Sequence, residues 1–223
     1  MQNRMMPTMI QRWADLTRDS GASLSMCLRV FDEIERYYDG RPYHSLYGHI
    51  CQLLDWQEEY FPGAPIDVIL AIWFHDLFNI PGFDQNEAFS AELMKFFLSR
   101  RGPAHHDLFA AEIVGSAAKH IMATRDHLAH CPETAILCDL DLFSFAGTEE
   151  EYDAITERVH EEYSDYPESW WVAGRMDFIE RYLARPFIFQ TERMQTWFEH
   201  TARLNLQREY SFYTTAVTPR SKD

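Results

Sequence analysis

Seven consecutive apolar residues, Val68 to Phe74, end directly on His75 and Asp76, and this junction constrains the fold more than any other stretch. On a helix, a run apolar at every position buries all its faces rather than one stripe, so its neighbours must wrap it. An ionised carboxylate at the mouth of such a run costs on the order of several kcal/mol unless a cation or a metal offsets it. From Pro42 to Met94 the sequence has no Lys or Arg and eight acids, so no neighbour in sequence supplies that cation. A divalent metal would. The competing explanation for His75 is a hydrogen-bonded core histidine, the ordinary fate of a buried imidazole. The other histidines and carboxylates decide between the two.

At 223 residues, with 46% hydrophobic and 15% aromatic residues, the chain is long enough to bury a sizeable core. One helix-rich domain over 1–213 is expected, followed by a flexible tail, 214–223, that has no core to join. The net charge of −15 argues against non-specific binding to nucleic acid or to an anionic membrane. It leaves room for a small anionic molecule, because a metal and a few arginines set the local field. Cys27, Cys51, Cys131 and Cys138 form no CxxC pair and no zinc-finger spacing, as in a reduced cytosolic chain. With no signal-peptide core and no apolar run near the ~20 residues that span a bilayer, a cytoplasmic location is expected.

Apolar periodicity and its breakers predict helices throughout. Helices are expected at 8–18, 22–38, 45–60, from Pro65 into the His75-Asp76 junction, 86–100, 105–124, 132–143, 148–164, 168–184 and 191–210. Asp39-Gly40-Arg41-Pro42, Pro62-Gly63, Pro81-Gly82, Gly102-Pro103, Gly147, Pro167 and Pro186 punctuate them. If the 105–124 helix continues, His120, Thr124 and His127 share one face. No long period-two pattern, internal repeat or domain-length linker interrupts this, and the fold class is all-α.

No phosphate loop, GxSxG elbow or GxGxxG fingerprint is present. What remains is a scattered set of His and Asp. His44 and His49 precede the junction in PYHSLYGHI; His120 and His127 follow it; Asp139 and Asp141 lie in AILCDLDLFSF. No Lys or Arg falls between Arg125 and Arg158, so a second segment also embeds carboxylates in apolar sequence without a cation. One shared metal site would resolve both costs. Mixed nitrogen and oxygen ligands suit Mn, Fe, Co or Zn better than calcium, with Mg a further candidate.

The order His, His-Asp, distant Asp in a helical chain resembles the HD superfamily of metal-dependent phosphohydrolases, and most closely a bacterial family of predicted HD phosphohydrolases of about this length. The residues that carry the resemblance are Tyr43-His44 with His49-Ile50, Phe74-His75-Asp76, Asn86-Glu87 with Ser90-Ala91, Thr124 with His127, Asp139-Leu140-Asp141-Leu142, Glu162-Tyr163, Gly174-Arg175, and Ala202-Arg203 with Asn205-Leu206. They cover about residues 40–210. Two positions depart from the pattern. The family sets its first two histidines four apart, whereas His44 and His49 are five apart, about 140° off one helical face. His44 must then sit before the helix or at a bulge. His160 stands where the family usually has Arg.

The resemblance implies an HD-domain helical bundle holding one or two divalent ions, with His49, His75, Asp76 and Asp141 as ligands. Asp139 is the alternative to Asp141; the two point about 200° apart on a helix, which sets them against binding one ion together. His127, with His120, is a candidate for a second ion, weighed against a simple hydrogen bond to a loop carbonyl. His44 resembles the general acid that cyclic-nucleotide phosphodiesterases place upstream of their first ligand. Glu87 is expected to orient water or act as general base, weighed against a helix-start charge favoured by the macrodipole. Among the cations Arg41, Lys119, Arg125, Arg175 and Arg203, the family signal falls on Arg175 and Arg203 as substrate contacts. The implied activity is hydrolysis of a phosphate ester or anhydride of a small molecule, such as a nucleotide. A di-iron HD-type oxygenase would instead need His120 or His127 among the ligands, and a non-catalytic metal- or ligand-binding regulator would keep the fold without turnover.

Overall fold

A computed structural model describes residues 7–20, 22–99 and 108–217, and all regular structure among them is helical. Contacts divide the chain into two compact units, residues 1–127 and 128–223.

The first unit is wrapped around the apolar run. Thr8 opens α1 (Met9–Thr17) with a capping box to Gln11, and Ser23 caps α2 (Leu24–Tyr38). A single π turn, Leu46–Ile50, leads into α3 (Cys51–Tyr60). Pro65 and Asp67 start α4 (Ile66–Phe74), followed by α5 (Asn86–Leu98) and α6 (Ala111–Ala123). Helix α4 is central: Val68, Leu70, Ala71, Ile72, Trp73 and Phe74 are all buried, and α3, α5 and α6 pack on it. The rings of Trp13 and Phe31 meet Trp73 edge-on at 5.3 and 6.4 Å, and the Tyr38 hydroxyl donates to the Trp73 carbonyl at 3.1 Å. Aromatic edges join the buried Met9, Val30 and Ile34 in closing the α1–α2 side of the core.

The second unit comprises α7 (Pro132–Leu142), a 3-10 turn at Phe143–Ala146, α8 (Glu149–Glu162), α9 (Glu168–Leu183) and α10 (Glu192–Val217). Helix α10 packs on α9 and on the 3-10 turn. Its Asn205 amide donates to the carbonyls of Phe145 and Gly147 at 2.8 and 2.9 Å, and Glu209 pairs with Arg175 of α9. Buried Asp139 of α7 accepts the backbone N–H groups of Gln190 and Thr191, which neutralises the positive end of α10.

The sequence places these helices closely; they differ at α6, which begins only at Ala111, after the non-helical residues 108–110, and at the end of α10. Helix α6 stops at Ala123, where the Thr124 hydroxyl donates back to the Ile121 carbonyl at 2.8 Å; His127 lies beyond it, off the face of His120. Helix α10 continues through Thr214 to Val217, where the tail was expected to begin. The expected start of α6 at 105 and the Gly102-Pro103 break lie outside the described residues, as does the tail from 218. No helix among the described residues is long and apolar enough to cross a membrane.

Candidate metal centre

The end of α4 delivers two of the converging groups. His75 keeps a helical backbone, its N–H bonded to the Ala71 carbonyl at 2.9 Å, while the chain turns away after it. Its Nδ1 lies 3.1 Å from the Ile72 carbonyl, an oxygen that only accepts. That contact places the proton on Nδ1 and leaves the Nε2 lone pair pointing outward, the tautomer a metal ligand needs. Arg41 donates to the carbonyls of Asp76 and Leu77 and so fixes the turn from behind.

His49 comes from the π turn. The Ile50 N–H bonds the Ser45 carbonyl at 3.2 Å, an i to i+5 bond that accommodates one residue more than an α turn. This surplus, together with the extended backbone at Ser45, absorbs the five-residue spacing between His44 and His49. His44 therefore sits ahead of the turn, with its ring centroid 5.5 Å from that of His49.

The His49 and His75 Nε2 atoms are 3.2 Å apart, and Asp76 Oδ2 is 3.4 and 3.1 Å from them. Bonds of about 2.0–2.2 Å to one ion separate cis ligand atoms by roughly 2.9–3.5 Å, so this triangle fits three corners of a transition-metal shell. Buried His49 and His75 offer lone pairs, and Asp76 offers charge from a side chain about one-fifth exposed. Burial pushes the Asp76 carboxyl up, but His75 and His44 when protonated, with hydrogen bonds from His49 and His75 in that state, outweigh it and hold the group well below the usual range; a metal would take the place of those protons. The carboxylate is ionised, as coordination requires. This His/His/Asp cluster could bind a metal ion. His44 stands at its edge, Nε2 3.9 Å from Asp76 Oδ2.

Glu87, in the first turn of α5, is half-buried. Burial raises its pKa; the α5 backbone lowers it, Asp76 raises it, and Arg125 and His127 lower it. Glu87, Arg125 and His127 thus lie within the electrostatic reach of one another, and Asp76 within that of Glu87. His127 adopts a left-handed backbone, φ 51°, uncommon outside glycine.

Of the other expected residues, His120, Arg175 and Arg203 are engaged elsewhere. His120 is buried at the opposite end of α4, its Nε2 3.3 Å from Asp67 Oδ2. Asp67 and His75 are eight residues apart, about 12 Å along the helix. Asp141 is half-buried in the last turn of α7, in the second unit, while Asp139 is engaged by the start of α10. Arg175 and Arg203, expected on substrate, have structural partners. Arg175 donates to both Glu209 oxygens at 2.8 and 3.0 Å and to the Tyr152 hydroxyl, which also bonds Glu209. Arg203 donates to Glu199 and to the carbonyls of Leu183, Arg185 and Pro186, closing the end of α9. His160, where the family usually has Arg, stacks on Trp171 and contacts Glu168 at 2.9 Å.

Asn86 and Ser90, read in the sequence only as carriers of the resemblance, hold the loop after Asp76. Asn86 accepts the Ile80 N–H at 3.0 Å and donates to its carbonyl at 2.9 Å; Ser90, one turn on, does the same for Phe78 at 3.0 and 3.1 Å. Their i, i+4 spacing was the available signal. No family model, curated protein or solved structure matches the chain.

Proposed function

We propose that this chain is an HD-type, metal-dependent phosphohydrolase acting on a phosphate ester or anhydride of a small molecule. The observation that carries the proposal is the triangle of His49 Nε2, His75 Nε2 and Asp76 Oδ2, closed to 3.1–3.4 Å with the His75 tautomer set by Ile72. The donor set favours Mn, Fe, Co or Zn, with Mg less suited to two imidazoles. A bound ion of this kind acidifies a coordinated water and polarises a phosphoryl oxygen. From the second unit the sequence nominates Asp141 as a further ligand, and Asp141→Ala with metal analysis tests that assignment.

The chain's own groups divide the remaining work. Glu87, with its pKa raised by burial, is suited to take a proton from the attacking water. His44, 3.9 Å from Asp76 Oδ2, is placed to protonate the leaving oxygen. Exposed Arg125, within the field of Glu87, replaces Arg175 and Arg203 as the cation offered to the non-bridging oxygens. With His120 engaged by Asp67 about 12 Å along α4 from His75, the oxygenase alternative rests on His127 as the further ligand.

Metal analysis of the isolated protein, followed by a panel of phosphoesters and anhydrides with added Mn or Co, tests the proposal. Metal-dependent turnover is expected, with Asp76→Ala abolishing both turnover and bound metal. Metal bound stoichiometrically with no turnover of any phosphate compound would assign the chain to a binding or regulatory role instead.

A further inference from the structure

Three phenylalanines on the segment that follows Asp76 stack together with their rings partly in solvent. Phe83 and Phe89 are 38% and 45% exposed, Phe78 is half-buried, and Ile80 next to them is 47% exposed. Phe78 and Phe89 stack at 5.0 Å and 27°, and Phe83 leans on both at 5.9 and 5.7 Å. Phe78 follows Asp76 by two residues on the loop after α4, a backbone reach of at most about 7 Å, while Phe89 sits about 200° round α5 from Glu87.

This patch is rigidly built. Ser90 holds both backbone groups of Phe78 and Asn86 both of Ile80. Ile80-Pro81-Gly82-Phe83 is a tight turn closed by the Phe83 N–H on the Ile80 carbonyl at 3.1 Å, with Gly82 at φ 75° in the position where a type II turn requires glycine. Rings fixed this firmly and left in water are a prepared surface rather than a loosely packed loop.

We propose that Phe78, Phe83 and Phe89 form the subsite for a flat, uncharged aromatic group, such as a nucleobase, on the phosphate compound whose phosphorus sits at the His49/His75/Asp76 cluster. The segment carrying the rings has no Lys or Arg from Pro42 to Met94, so nothing in it attracts the phosphate end. The phosphate is drawn instead to the metal and Arg125, and the neutral end is left to the rings. The subsite deepens the phosphohydrolase proposal and rests on it for the phosphate arm alone.

Two probes separate the arms by calorimetry. 1-Naphthol, which has no phosphate, is titrated into the protein without metal, and inorganic phosphate is titrated into the Mn-loaded protein. Wild type should bind both. Phe83→Ala and Phe89→Ala, both at exposed rings, should each weaken naphthol on the order of 10-fold, as loss of one stacking partner does, while phosphate binding holds. Naphthol binding that is absent, or unchanged in both variants, overturns the subsite. Phosphate that fails to bind wild type while naphthol binds overturns the phosphohydrolase arm and leaves the aromatic subsite standing. A patch that pairs copies of the chain would show instead as wild-type self-association in sedimentation that Phe83→Ala abolishes, and that result also overturns the proposal.

Discussion

Arg41 shows how far a residue's role depends on which atoms it reaches. As a cation close to His44 in sequence it looked like a phosphate contact, yet its two Nη groups donate to the carbonyls of Asp76 and Leu77 while its guanidinium lies 5.2 Å from the Tyr38 ring centroid. These bonds satisfy carbonyls that the end of α4 leaves without helical partners. They also set the direction in which Asp76 leaves the helix. Arg41→Ala is expected to destabilise the protein by about 2–3 kcal/mol, the scale of hydrogen bonds to a charged group. It should also weaken Mn binding roughly 10-fold, as loss of a residue that orients a ligand does. Melting curves and Mn titration read the two effects separately. Unchanged Mn affinity with a lower melting temperature would reduce Arg41 to a helix cap. At this scale the sequence exposed His49, His75 and Asp76 because their surroundings were apolar and free of cations. It could not expose the partners of Arg175, since Glu209 lies 34 residues away. The Glu199–Arg203 pair at i, i+4 was within reach of inspection.

At the scale of elements, the site depends on how α4 ends and how α5 begins. The loop between them has no regular structure of its own and is held by Asn86 and Ser90 from the first turns of α5. Ser90→Ala leaves the Phe78 N–H and carbonyl without that partner in a partly buried place, a cost of about 1–3 kcal/mol. Hydrogen exchange should report it locally: the Phe78 and Ile80 amides are expected to exchange roughly 10-fold or more faster, while amides in the middle of α4 keep their protection. Equal acceleration in α4 would mean that the clamp supports the whole unit rather than the loop. Helix positions were largely legible because apolar spacing and Gly-Pro breaks are local signals. The π turn was legible only as one of two alternatives: the five-residue spacing of His44 and His49 required a place before the helix or a bulge, and the buried Leu46, Ile50, Leu53 and Leu54 do not say which. The end of α6 was placed within one residue, although Thr124 terminates it through a hydroxyl–carbonyl bond with no Gly or Pro to announce the stop.

At the scale of the molecule, a net charge of −15 repels itself at neutral pH, and that repulsion eases as carboxylates are protonated toward the pI of about 5. One buried group in the second unit adds a pH dependence of its own in the same direction. Asp139 is fully buried; burial lifts its pKa to about 6 from 3.8, with the Gln190 and Thr191 backbone N–H groups and the Thr191 side chain lowering it only partly and Glu199 raising it further. In the unfolded chain the carboxyl loses its proton near pH 3.8, whereas in the folded chain it keeps it to about pH 6. Folding therefore takes up a proton between those values, and stability from this group is complete below the lower pKa and lost as pH rises through the upper one. A shift of about two units corresponds to about 3 kcal/mol. Asp139→Asn is neutral throughout and forms a constant reference: its amide oxygen accepts one of the two N–H groups and its NH2 cannot accept the other, an offset that does not change with pH. The stability of wild type minus that of Asp139→Asn, from urea unfolding in parallel buffers, should fall by about 3 kcal/mol between pH 4 and pH 7, most of it between pH 4 and 6. The surface carboxylates are common to both proteins and cancel in the difference. A difference that is flat, or that rises with pH, would mean that the N–H groups at the start of α10 stabilise the Asp139 carboxylate fully and that its burial carries no charge penalty.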